Sequence, residues 1–503
     1  MCGIIFTNIK SITKKDFQRS TMDMLHRGPD NQSYLEIDDL KFGHTRLSIQ
    51  DLDIRSNQPI CINDHVIIFN GEIYNFKELI KDHNLKVKTK SDTEVLLLMF
   101  IKYGSECLKY FNGMFAFIIF NKKNKKFFVA RDRLGIKPLY FYRNKNNFIF
   151  CSELKPIKNL IKTTVDNFSI RQYKKFRMFL DNNTIFKEIK FFPQGNYYYK
   201  NKFTKYWDLN FDNKKNPSDA KLKFLINDAI KLRKISDVPM GTFISGGLDS
   251  TIISSIAKPN FVWSVGFKNF NEFKWCRIAN QKIKSTINNI VVDPTKFKIL
   301  TKQMIEKRSE PLCVPNEVLI NILSKEAKKQ NTVLLSGEGA DEVFWGYDRI
   351  FRWAHSKKNN FSIKEFEELY CYGKNKDDDI MDYAYSLMEG KNTLEKVSYF
   401  FLKYHLHGLL RRLDNSTMLN SIEARVPFCD HRIVDYVHNA SFKWKMGKDV
   451  KQPLKRIFRN KIPNEIINRK KVGFPVDLSQ VFKSNNKKSF YDQWMEFNLK
   501  NFI

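Results

Sequence analysis

The chain has 503 residues, of which 42% are hydrophobic and 14% aromatic, a composition that fills the cores of two globular domains and excludes a disordered chain. Its formal net charge at pH 7 is +32. Because the lysines are spread from end to end and no nucleic-acid-binding module accompanies them, a solvated basic surface is favoured over a specific nucleic-acid partner.

The sequence predicts a cytoplasmic location. The N-terminus has no basic start followed by a sustained apolar stretch, so no signal peptide is predicted. The longest apolar run, at 114–120, has the length of a buried strand and not of a membrane span. Eight cysteines, with no C-x-x-C pair, argue against zinc and predict reduced, mostly buried thiols.

The first half of the chain, residues 2–192, is predicted to be an α+β domain. Between the strands, residues 91–104 have a helix signature, in which Ser91 and Glu94 have the spacing of a capping box and Gly104 suits the end of the helix. The β-rich runs lie at 66–70, 114–120, 126–130, 139–143 and 148–152.

The pattern changes after the aromatic-rich stretch that begins near 193, and we predict a linker over 193–216. Residues 217–234 then form a helix with Leu222, Leu225, Ile226 and Ala229 on one face. Strands and helices alternate from there, which indicates a doubly wound α/β domain with a parallel sheet over 217–503, largely helical from about 349. The strands are predicted in 241–245, 261–267, 286–292 and 332–336.

The loop "SGGLDS" at 245–250 lies between a predicted strand and a predicted helix. Two glycines let the backbone approach a ligand, two serines offer hydroxyls, and the helix N-terminus offers free N–H groups. This combination predicts an anion site, most naturally for a pyrophosphate. There is no G-K-[ST] sequence, so a Walker loop is excluded. A plain Gly-Gly turn before a helix is the alternative.

A second loop, "LLSGEGADEVFWGY" at 334–347, also follows a predicted strand. It crowds the side chains of Ser336, Glu338, Asp341 and Glu342 among glycines. Such a cluster positions Mg²⁺ or supplies a general base, whereas a solvated acidic loop is the alternative.

These loops, with "SIEARVPFCDH" at 421–431 and "RKKVGFP" at 469–475, resemble the synthetase domain of glutamine-dependent asparagine synthetases. The resemblance implies that ATP adenylates a substrate carboxylate, that Glu338 helps to form and aminate the acyl-adenylate, and that Lys451 stabilises the adenylation transition state. It implies Mg²⁺ contacts at Asp249 and Asp341. The implied ATP-binding residues are Phe243, Ser245, Gly246, Gly247, Asp249, Ser250, Val265, Ser336 and Gly337.

Cys2, directly after Met1, is the candidate nucleophile for releasing the ammonia that aminates the acyl-adenylate. Removal of Met1, which a small second residue permits, gives Cys2 an α-amine with a pKa of ~8 beside a thiol of ~8.5. The amine then serves as general base for the thiol, so no histidine is needed. The thiol attacks the side-chain amide of glutamine, forms a thioester and releases ammonia.

Other residues of the first half suit the same chemistry. The planar guanidinium of Arg46 fits a carboxylate, the Asn70 amide and the Gly71 N–H form an oxyanion hole, and Asp92 accepts from an α-ammonium. Each has an alternative reading as a surface charge or a turn residue, and for Arg46 and Asp92 taken one at a time this alternative is favoured.

The motifs "MCGI", "HRGPD", "HTRLSI", "NGEIYN", "SDTE" and "ARDRLGIKPLY" together resemble the class II glutamine amidotransferase domain that precedes the synthetase domain in the same family. The resemblance implies an N-terminal-nucleophile fold, an αββα sandwich, with Cys2, Asn70 and Gly71 as catalytic residues. The implied glutamine-binding residues are Arg46, Leu47, Ile49, Asn70, Gly71, Glu72 and Asp92.

The whole chain is therefore identified as a member of the glutamine-hydrolysing asparagine synthetase family. The implied reaction converts aspartate, glutamine and ATP into asparagine, glutamate, AMP and diphosphate, through β-aspartyl-AMP and ammonia that passes through an internal tunnel. The substrates are small molecules, ATP acts with Mg²⁺, and no tightly bound organic cofactor or membrane partner is expected. A homodimer is compatible with this reading.

Three departures from the family pattern concern the second substrate. Residues 285–292 lack the histidine found in many relatives, Trp345 replaces a small residue, and Cys429 replaces a leucine. They leave open an amidotransferase of the same architecture that adenylates another carboxylate, such as a uronic acid in glycan synthesis. A β-lactam-forming relative is disfavoured because it needs no ammonia. A nucleic-acid-associated protein with a degenerate enzyme fold is disfavoured because both sets of site residues are present.

Overall fold

The computed structural model describes residues 2–211, 216–373, 375–470, 473–474, 476–484 and 488–502. Met1, residues 212–215 of the predicted linker, and Lys471, Val472 and Pro475 of the 469–475 motif lie outside this part of the chain. Among the described residues, no helix is both long enough and apolar enough to cross a membrane. All eight cysteines are free, and six of them are buried.

The first domain contains two antiparallel six-stranded sheets, with the strand orders β10-β8-β9-β1-β3-β2 and β12-β11-β7-β6-β5-β4. The strands are β1 (Gly3–Thr7), β2 (Asn31–Ile37), β3 (Leu40–Arg46), β4 (Ile60–Ile62), β5 (His65–Ile73), β6 (Gly113–Asn121), β7 (Lys126–Arg131), β8 (Tyr140–Asn144), β9 (Asn147–Cys151), β10 (Ile189–Phe191), β11 (Asn196–Tyr199) and β12 (Lys202–Lys205). The helices are α1 (Lys14–Met22), α2 (Phe76–Asp82), α3 (Asp92–Tyr103), α4 (Leu154–Leu160) and α5 (Asn167–Phe176).

The two sheets pack face to face with helices outside, which confirms the predicted αββα sandwich. Phe6 and Phe42 of one sheet and Ile68 and Ile118 of the other form a single buried cluster between them. Helices α2 and α3 cover the outer face of the second sheet, and α1, α4 and α5 cover that of the first. Because both faces of β6 are buried, its sequence is continuously apolar rather than alternating.

Helix α3 lies where the sequence predicts, but the predicted capping box is wrong. Ser91 is the N-cap and accepts a hydrogen bond from the Thr93 N–H, and Gly104 ends the helix with a φ of 58°. The Glu94 carboxylate accepts instead from the Lys88 N–H at 2.9 Å. Because the segment before the helix donates its backbone N–H groups to Glu94, the Glu94 side chain does not accept from the Ser91 N–H as a capping box requires.

The predicted linker begins too early in the chain. Strands β11 and β12 pair with each other, and β11 pairs with β7, so residues 196–205 extend the second sheet. Tyr198 is buried in the core between the sheets. The sequence change after 192 therefore marks aromatic edge strands rather than a connection between domains.

The second domain is built on a parallel sheet with the strand order β15-β14-β13-β16-β17, which confirms the predicted doubly wound α/β class. Its strands are β13 (Met240–Phe243), β14 (Phe261–Phe267), β15 (Thr286–Val292), β16 (Val333–Leu335) and β17 (Glu423–Arg425). Chain order runs outward from β13 in one direction and from β16 in the other, so the switch point lies between these two strands. Open α/β sheets bind ligands at this point.

Helices cover both faces of this sheet and form a further cluster in the C-terminal half. They are α6 (Asp219–Leu232), α7 (Leu248–Ala257), α8 (Phe273–Ile283), α9 (Pro294–Arg308), α10 (Asn316–Ala327), α11 (Ala340–Val343), α12 (Asp348–Lys357), α13 (Ile363–Tyr370), α14 (Asp378–Ser386), α15 (Thr393–Phe400), α16 (Leu406–Met418), α17 (His431–Val437), α18 (Phe442–Lys445), α19 (Gln452–Phe458), α20 (Asn464–Asn468) and α21 (Phe490–Lys500). The sequence predicts helix throughout this half and misses β17, because a three-residue strand has no detectable period.

The two domains meet through buried ion pairs. Asp414 on α16 accepts from Arg27 Nη2 at 2.9 Å and from Lys137 Nζ at 3.1 Å. Arg425 on β17 lies 3.3 Å from the Glu72 carboxylate of the first domain. Since removing one partner of a buried ion pair leaves an uncompensated charge, these contacts fix the position of one domain against the other.

Candidate active sites

A cavity of about 470 Å³ lies at the carboxyl ends of β13 and β16. It is where the doubly wound topology predicts a ligand. Residues predicted from the sequence line it from four separate segments: Phe243, Ser245, Gly247, Asp249, Ser250, Val265, Ser336, Gly337, Glu338, Asp341 and Lys451. The apolar side chains of Trp263, Ile320 and Leu323 also line it, and the sequence analysis did not single them out.

The loop after β13 has the geometry of an anion cradle. Gly246 has a φ of 63°, and a Cβ atom there would lie 2.4 Å from the Cβ of Trp275, so only glycine fits. The Ser245 and Ser250 hydroxyls are 3.1 Å apart. Gly247 is the N-cap of α7, whose first N–H groups lack partners within the helix.

Lys451 lies between two carboxylates of the same cavity. Its Nζ is 2.5 Å from Asp249 Oδ2 and 2.6 Å from Asp341 Oδ1. Burial lowers the pKa of the Lys451 ammonium, but the two carboxylates outweigh this effect and the pKa is raised. The lysine is therefore charged at neutral pH and faces the cradle for phosphate.

The same carboxylates are the residues that would hold Mg²⁺. No cluster of three or more His, Cys, Asp or Glu side chains suited to a metal occurs among the described residues. Mg²⁺ is ordinarily bound by one or two carboxylates together with substrate phosphates, so Asp249 and Asp341 beside the phosphate cradle fit that ion.

Glu338 is held in place by an arginine that the sequence analysis did not identify. Its Oε2 accepts from Arg412 Nη2 at 2.6 Å, and its backbone N–H donates to the Ser336 hydroxyl at 3.3 Å. Arg412 lies on α16, far along the chain from the loop, and no local sequence signal connects the two.

The second cavity, of about 30 Å³, lies in the first domain and contains the predicted glutaminase residues. Cys2, Arg46, Leu47, Ile49, Gly71, Glu72 and Asp92 line it. Also lining it are Gln50, Ser56, Gln58, Phe69, Ser91 and Thr93, none of which the sequence analysis assigned to this site. Ser91 and Thr93 belong to the "SDTE" motif at 91–94, whereas the other four come from dispersed segments.

Cys2 directly precedes strand β1 and is almost completely buried. Burial raises the pKa of the thiol, whereas a hydrogen bond from the Leu47 backbone and the charge of Arg46 lower it. The Cys2 backbone nitrogen, which removal of Met1 would convert into an α-amine, donates to Asn70 Oδ1 at 3.2 Å. A Cβ atom at Gly71 would lie 2.1 Å from the Met114 carbonyl, which explains why glycine is needed beside Asn70.

Arg46 and Asp92 are both buried, which overturns the reading of either residue as a surface charge. Arg46 Nη1 donates to the Asp53 carbonyl at 2.9 Å and to Asn57 Oδ1 at 2.7 Å. Asp92 Oδ2 accepts from the Ile73 N–H at 2.7 Å. Burial raises the pKa of Asp92 to about 7.

Glu72 connects this site to the second domain. Its carboxylate lies 3.3 Å from Arg425, which also donates to Glu423 at 2.5 Å. Burial, with the nearby charge of Glu423, raises the pKa of Glu72 well above its usual range. Arg425 belongs to the motif at 421–431, and no local sequence pattern indicates that it reaches the cavity of the first domain.

All three departures from the family pattern lie outside the larger cavity, since no residue of 285–292 lines it. Trp345 is buried, and its indole stacks on Phe351 at a centroid distance of 5.3 Å. Cys429 lies beneath Gly339, with its Sγ 3.8 Å from the Glu338 carbonyl. Neither side chain is among the described residues that line the cavity, so the expected reshaping of the pocket by direct contact is not seen.

Comparison with known proteins gives matches to both halves of the chain. Residues 1–207 match the family model described as a glutamine amidotransferase domain, and residues 221–498 match that of asparagine synthase. Asparagine synthetase [glutamine-hydrolyzing] 1 of Bacillus subtilis is 32% identical, over 92% of this chain and 84% of its own. Asparagine synthetase [glutamine-hydrolyzing] 3 of the same organism is 28% identical, over 94% and 87%. Asparagine synthetase B of Escherichia coli is 27% identical, over 94% and 82%.

Proposed function

The chain belongs to the family of glutamine-hydrolysing asparagine synthetases, and we propose that it transfers the amide nitrogen of glutamine to the β-carboxylate of aspartate with conversion of ATP to AMP and diphosphate. The observation that carries the proposal is the presence, in one chain, of two cavities lined by residues predicted for the two half-reactions. The first contains Cys2 with an oriented backbone nitrogen, and the second contains Lys451 beside a phosphate cradle. A cytoplasmic location accords with the eight free cysteines.

In the first site, the proposed nucleophile is the Cys2 thiol after removal of Met1. The α-amine, held by Asn70, takes the thiol proton while sulfur attacks the glutamine amide carbon. Asn70 and the Gly71 N–H stabilise the oxyanion, and the amine returns the proton to the departing ammonia. Water then hydrolyses the thioester to glutamate. Arg46 and Asp92 bind the α-carboxylate and α-ammonium of glutamine.

In the second site, a β-carboxylate oxygen of aspartate attacks the α-phosphorus of ATP and diphosphate leaves. Residues 245–250 hold the departing diphosphate through backbone N–H groups and hydroxyls. Lys451 neutralises the charge that develops on the phosphates. Mg²⁺, held by Asp249 and Asp341, would supply further neutralisation of phosphate charge. Ammonia attacks the adenylate carbon, Glu338 accepts a proton, and AMP leaves.

Ammonia must travel between the two sites without entering bulk water, where it would be protonated and diluted. The direct path crosses the domain interface, where Asp414 joins Arg27 and Lys137 and where Arg425 contacts Glu72. These side chains are buried, which supports transfer of ammonia across the interface without exposure to solvent.

The test of the proposal is a product analysis of the purified chain after removal of Met1. With ATP, Mg²⁺ and glutamine, addition of aspartate should produce asparagine, AMP and diphosphate in equal amounts, followed by mass spectrometry and a pyrophosphate assay. The same assay addresses the alternative acceptor: glutamine hydrolysis without aspartate-dependent diphosphate would contradict the proposal. Uronic acids are then the first acceptors to assay.

The pH dependence of glutamine binding tests the role of Asp92. Its carboxyl group has a pKa raised to about 7 by burial, and only the ionised form attracts the α-ammonium. We therefore expect KM for glutamine to be lowest above pH 7 and to rise up to about tenfold per pH unit below it. The measurement is steady-state glutaminase kinetics between pH 5.5 and 8.5.

The matched variant is Asp92→Asn, which should have a high KM that varies little with pH. Asp64→Asn, which changes an exposed carboxyl on the hairpin of β4 and β5, should keep the profile of the unmodified chain. A pH-dependent KM that persists in Asp92→Asn would assign the ionisation to another group.

A further inference from the structure

The guanidinium of Arg46 is held in the cavity of the first domain by a surface loop. Nη1 donates to the Asp53 carbonyl at 2.9 Å and to Asn57 Oδ1 at 2.7 Å, and Nη2 donates to the Asp51 carbonyl. Residues 52–55, which lie among these partners, are exposed. An exposed loop opens at a low free energy unless hydrogen bonds fix it, because burial does little to hold it. The orientation of the guanidinium therefore depends on what fixes the loop.

A carboxylate of the second domain fixes the start of this loop. Asp237 lies in the turn between α6 and β13, and its Oδ2 accepts from the Asp51 N–H at 2.8 Å. Its own N–H donates to the carbonyl of Ile49, a residue that lines the cavity, at 2.9 Å. Asp51 thus contacts Asp237 through its N–H and Arg46 through its carbonyl. One peptide segment joins the second domain to the guanidinium.

The backbone of Asp51 requires such support. Its φ is 49°, in the left-handed region that a residue with a Cβ atom seldom adopts unless its surroundings hold it there. The residue is 5% exposed, and its Oδ2 accepts from the Ser56 hydroxyl at 2.7 Å and from the Lys90 N–H at 2.8 Å. Because a buried N–H without an acceptor is costly, loss of the Asp237 carboxylate should let the Asp51 peptide rearrange.

The turn that carries Asp237 is itself held firmly. Arg425 Nη1 donates to the Arg233 carbonyl at 2.8 Å and to the Ile235 carbonyl at 2.6 Å. The same guanidinium lies 3.3 Å from the Glu72 carboxylate in the wall of the first domain's cavity. Asp237 is therefore presented to the loop from a fixed backbone, and the second domain reaches this cavity at two places.

We propose that Asp237 is a positioning residue for glutamine: it holds the Asp51 peptide, and thereby the Arg46 guanidinium that takes the α-carboxylate of glutamine. The inference rests on the proposed function of Arg46. A guanidinium binds a carboxylate through two parallel hydrogen bonds, which require a fixed plane, so movement of the carbonyls that hold Arg46 weakens the pair. The second domain thus contributes to the affinity of the first domain for glutamine.

The test is Asp237→Ala in the full chain, assayed for glutamine hydrolysis without ATP or aspartate. Asp237 is exposed, so this variant is expected to fold. Loss of one hydrogen bond that supports the binding residue should raise KM for glutamine by about three- to tenfold. Arg46 contacts the end of glutamine that does not react, so kcat should stay within about twofold. An unchanged KM in the folded variant would overturn the proposal.

Two variants serve as controls. Asp237→Asn keeps an oxygen that accepts from the Asp51 N–H, and should keep KM for glutamine within about twofold of the unmodified chain. Asp382→Ala removes an exposed carboxyl on α14 of the same domain and should leave KM unchanged. A rise in Asp237→Asn equal to that in Asp237→Ala would overturn the assignment, because it would assign the effect to the charge and not to the hydrogen bond.

A double-mutant cycle with Arg46→Lys tests whether Asp237 acts through Arg46. Lysine lacks the planar fork that the loop carbonyls hold. Adding Asp237→Ala to Arg46→Lys should therefore raise KM for glutamine by less than about twofold. The same rise in both backgrounds would show that Asp237 acts independently of Arg46, and would overturn the proposal.

Hydrogen-exchange mass spectrometry separates this proposal from the proposed function, because it needs neither substrate nor turnover. Peptides that cover residues 49–57 should exchange at least about fivefold faster in Asp237→Ala than in the unmodified chain, and Asp237→Asn should not differ. Unchanged exchange, or faster exchange with an unchanged KM for glutamine, would overturn the positioning role. A failure to form asparagine would contradict the proposed function but would not alter the outcome of these measurements.

Discussion

Replacement of Cys2 by alanine is expected to abolish glutamine-dependent asparagine formation and to spare formation from ammonia. The proposed thioester cannot form without the thiol, so we expect glutamine hydrolysis to fall by at least about 10³-fold. The second site has its own cavity and its own charged residues, and ammonia-dependent synthesis should stay within about threefold. The measurement is asparagine formation with glutamine or with ammonium chloride as nitrogen donor.

Alanine is small enough at position 2 to permit removal of Met1, so the variant keeps the same mature N-terminus. Cys61→Ala is the matched control, because Cys61 is an exposed thiol on β4 of the same domain. It should retain both activities. If Cys2→Ala loses both activities while its thermal unfolding is unchanged, the assignment of two separate sites is wrong.

Replacement of Lys451 by alanine is expected to abolish aspartate-dependent diphosphate release and to spare glutamine hydrolysis. Nζ lies 2.5 and 2.6 Å from Asp249 and Asp341, and its loss leaves two carboxylates facing the phosphate cradle. The cation that neutralises the charge developing on the phosphates and that attracts ATP is then lost. Removal of one such preorganised group costs about 10²–10³ in rate, so aspartate-dependent diphosphate release should fall by at least this factor. Glutamine hydrolysis in the absence of ATP should remain.

Two further variants serve as controls for this interpretation. Lys451→Arg keeps the charge between the carboxylates and should fold normally, but a bulkier, planar group should not restore full activity. Lys461→Ala removes an exposed cation beyond α19 and should behave like the unmodified chain. Loss of glutamine hydrolysis in a folded Lys451→Ala would contradict the division of labour between the domains.

Local sequence was sufficient for the elements with strong patterns and for the glycine-rich loops of the second domain. The buried face of α6 and the strands β14 and β15 follow from hydrophobic periodicity and β-branched residues. Gly246 is needed because of a positive φ and a close contact, and such a backbone requirement appears directly as glycine in the sequence. The predicted site residues that line each cavity were also recognisable by motif.

Contacts between distant segments were decided by the tertiary structure alone. Arg27 and Asp414 are 387 residues apart in the chain, and neither has a local pattern that identifies the other. The same holds for Arg425 against Glu72 and for Arg412 against Glu338. Strand β17 forms because it pairs with β16, and the burial of Trp345 is set by packing against α12. Sequence determines local backbone preference and the type of chemistry each residue offers, whereas pairing of charges and closure of a cavity depend on which surfaces meet after folding.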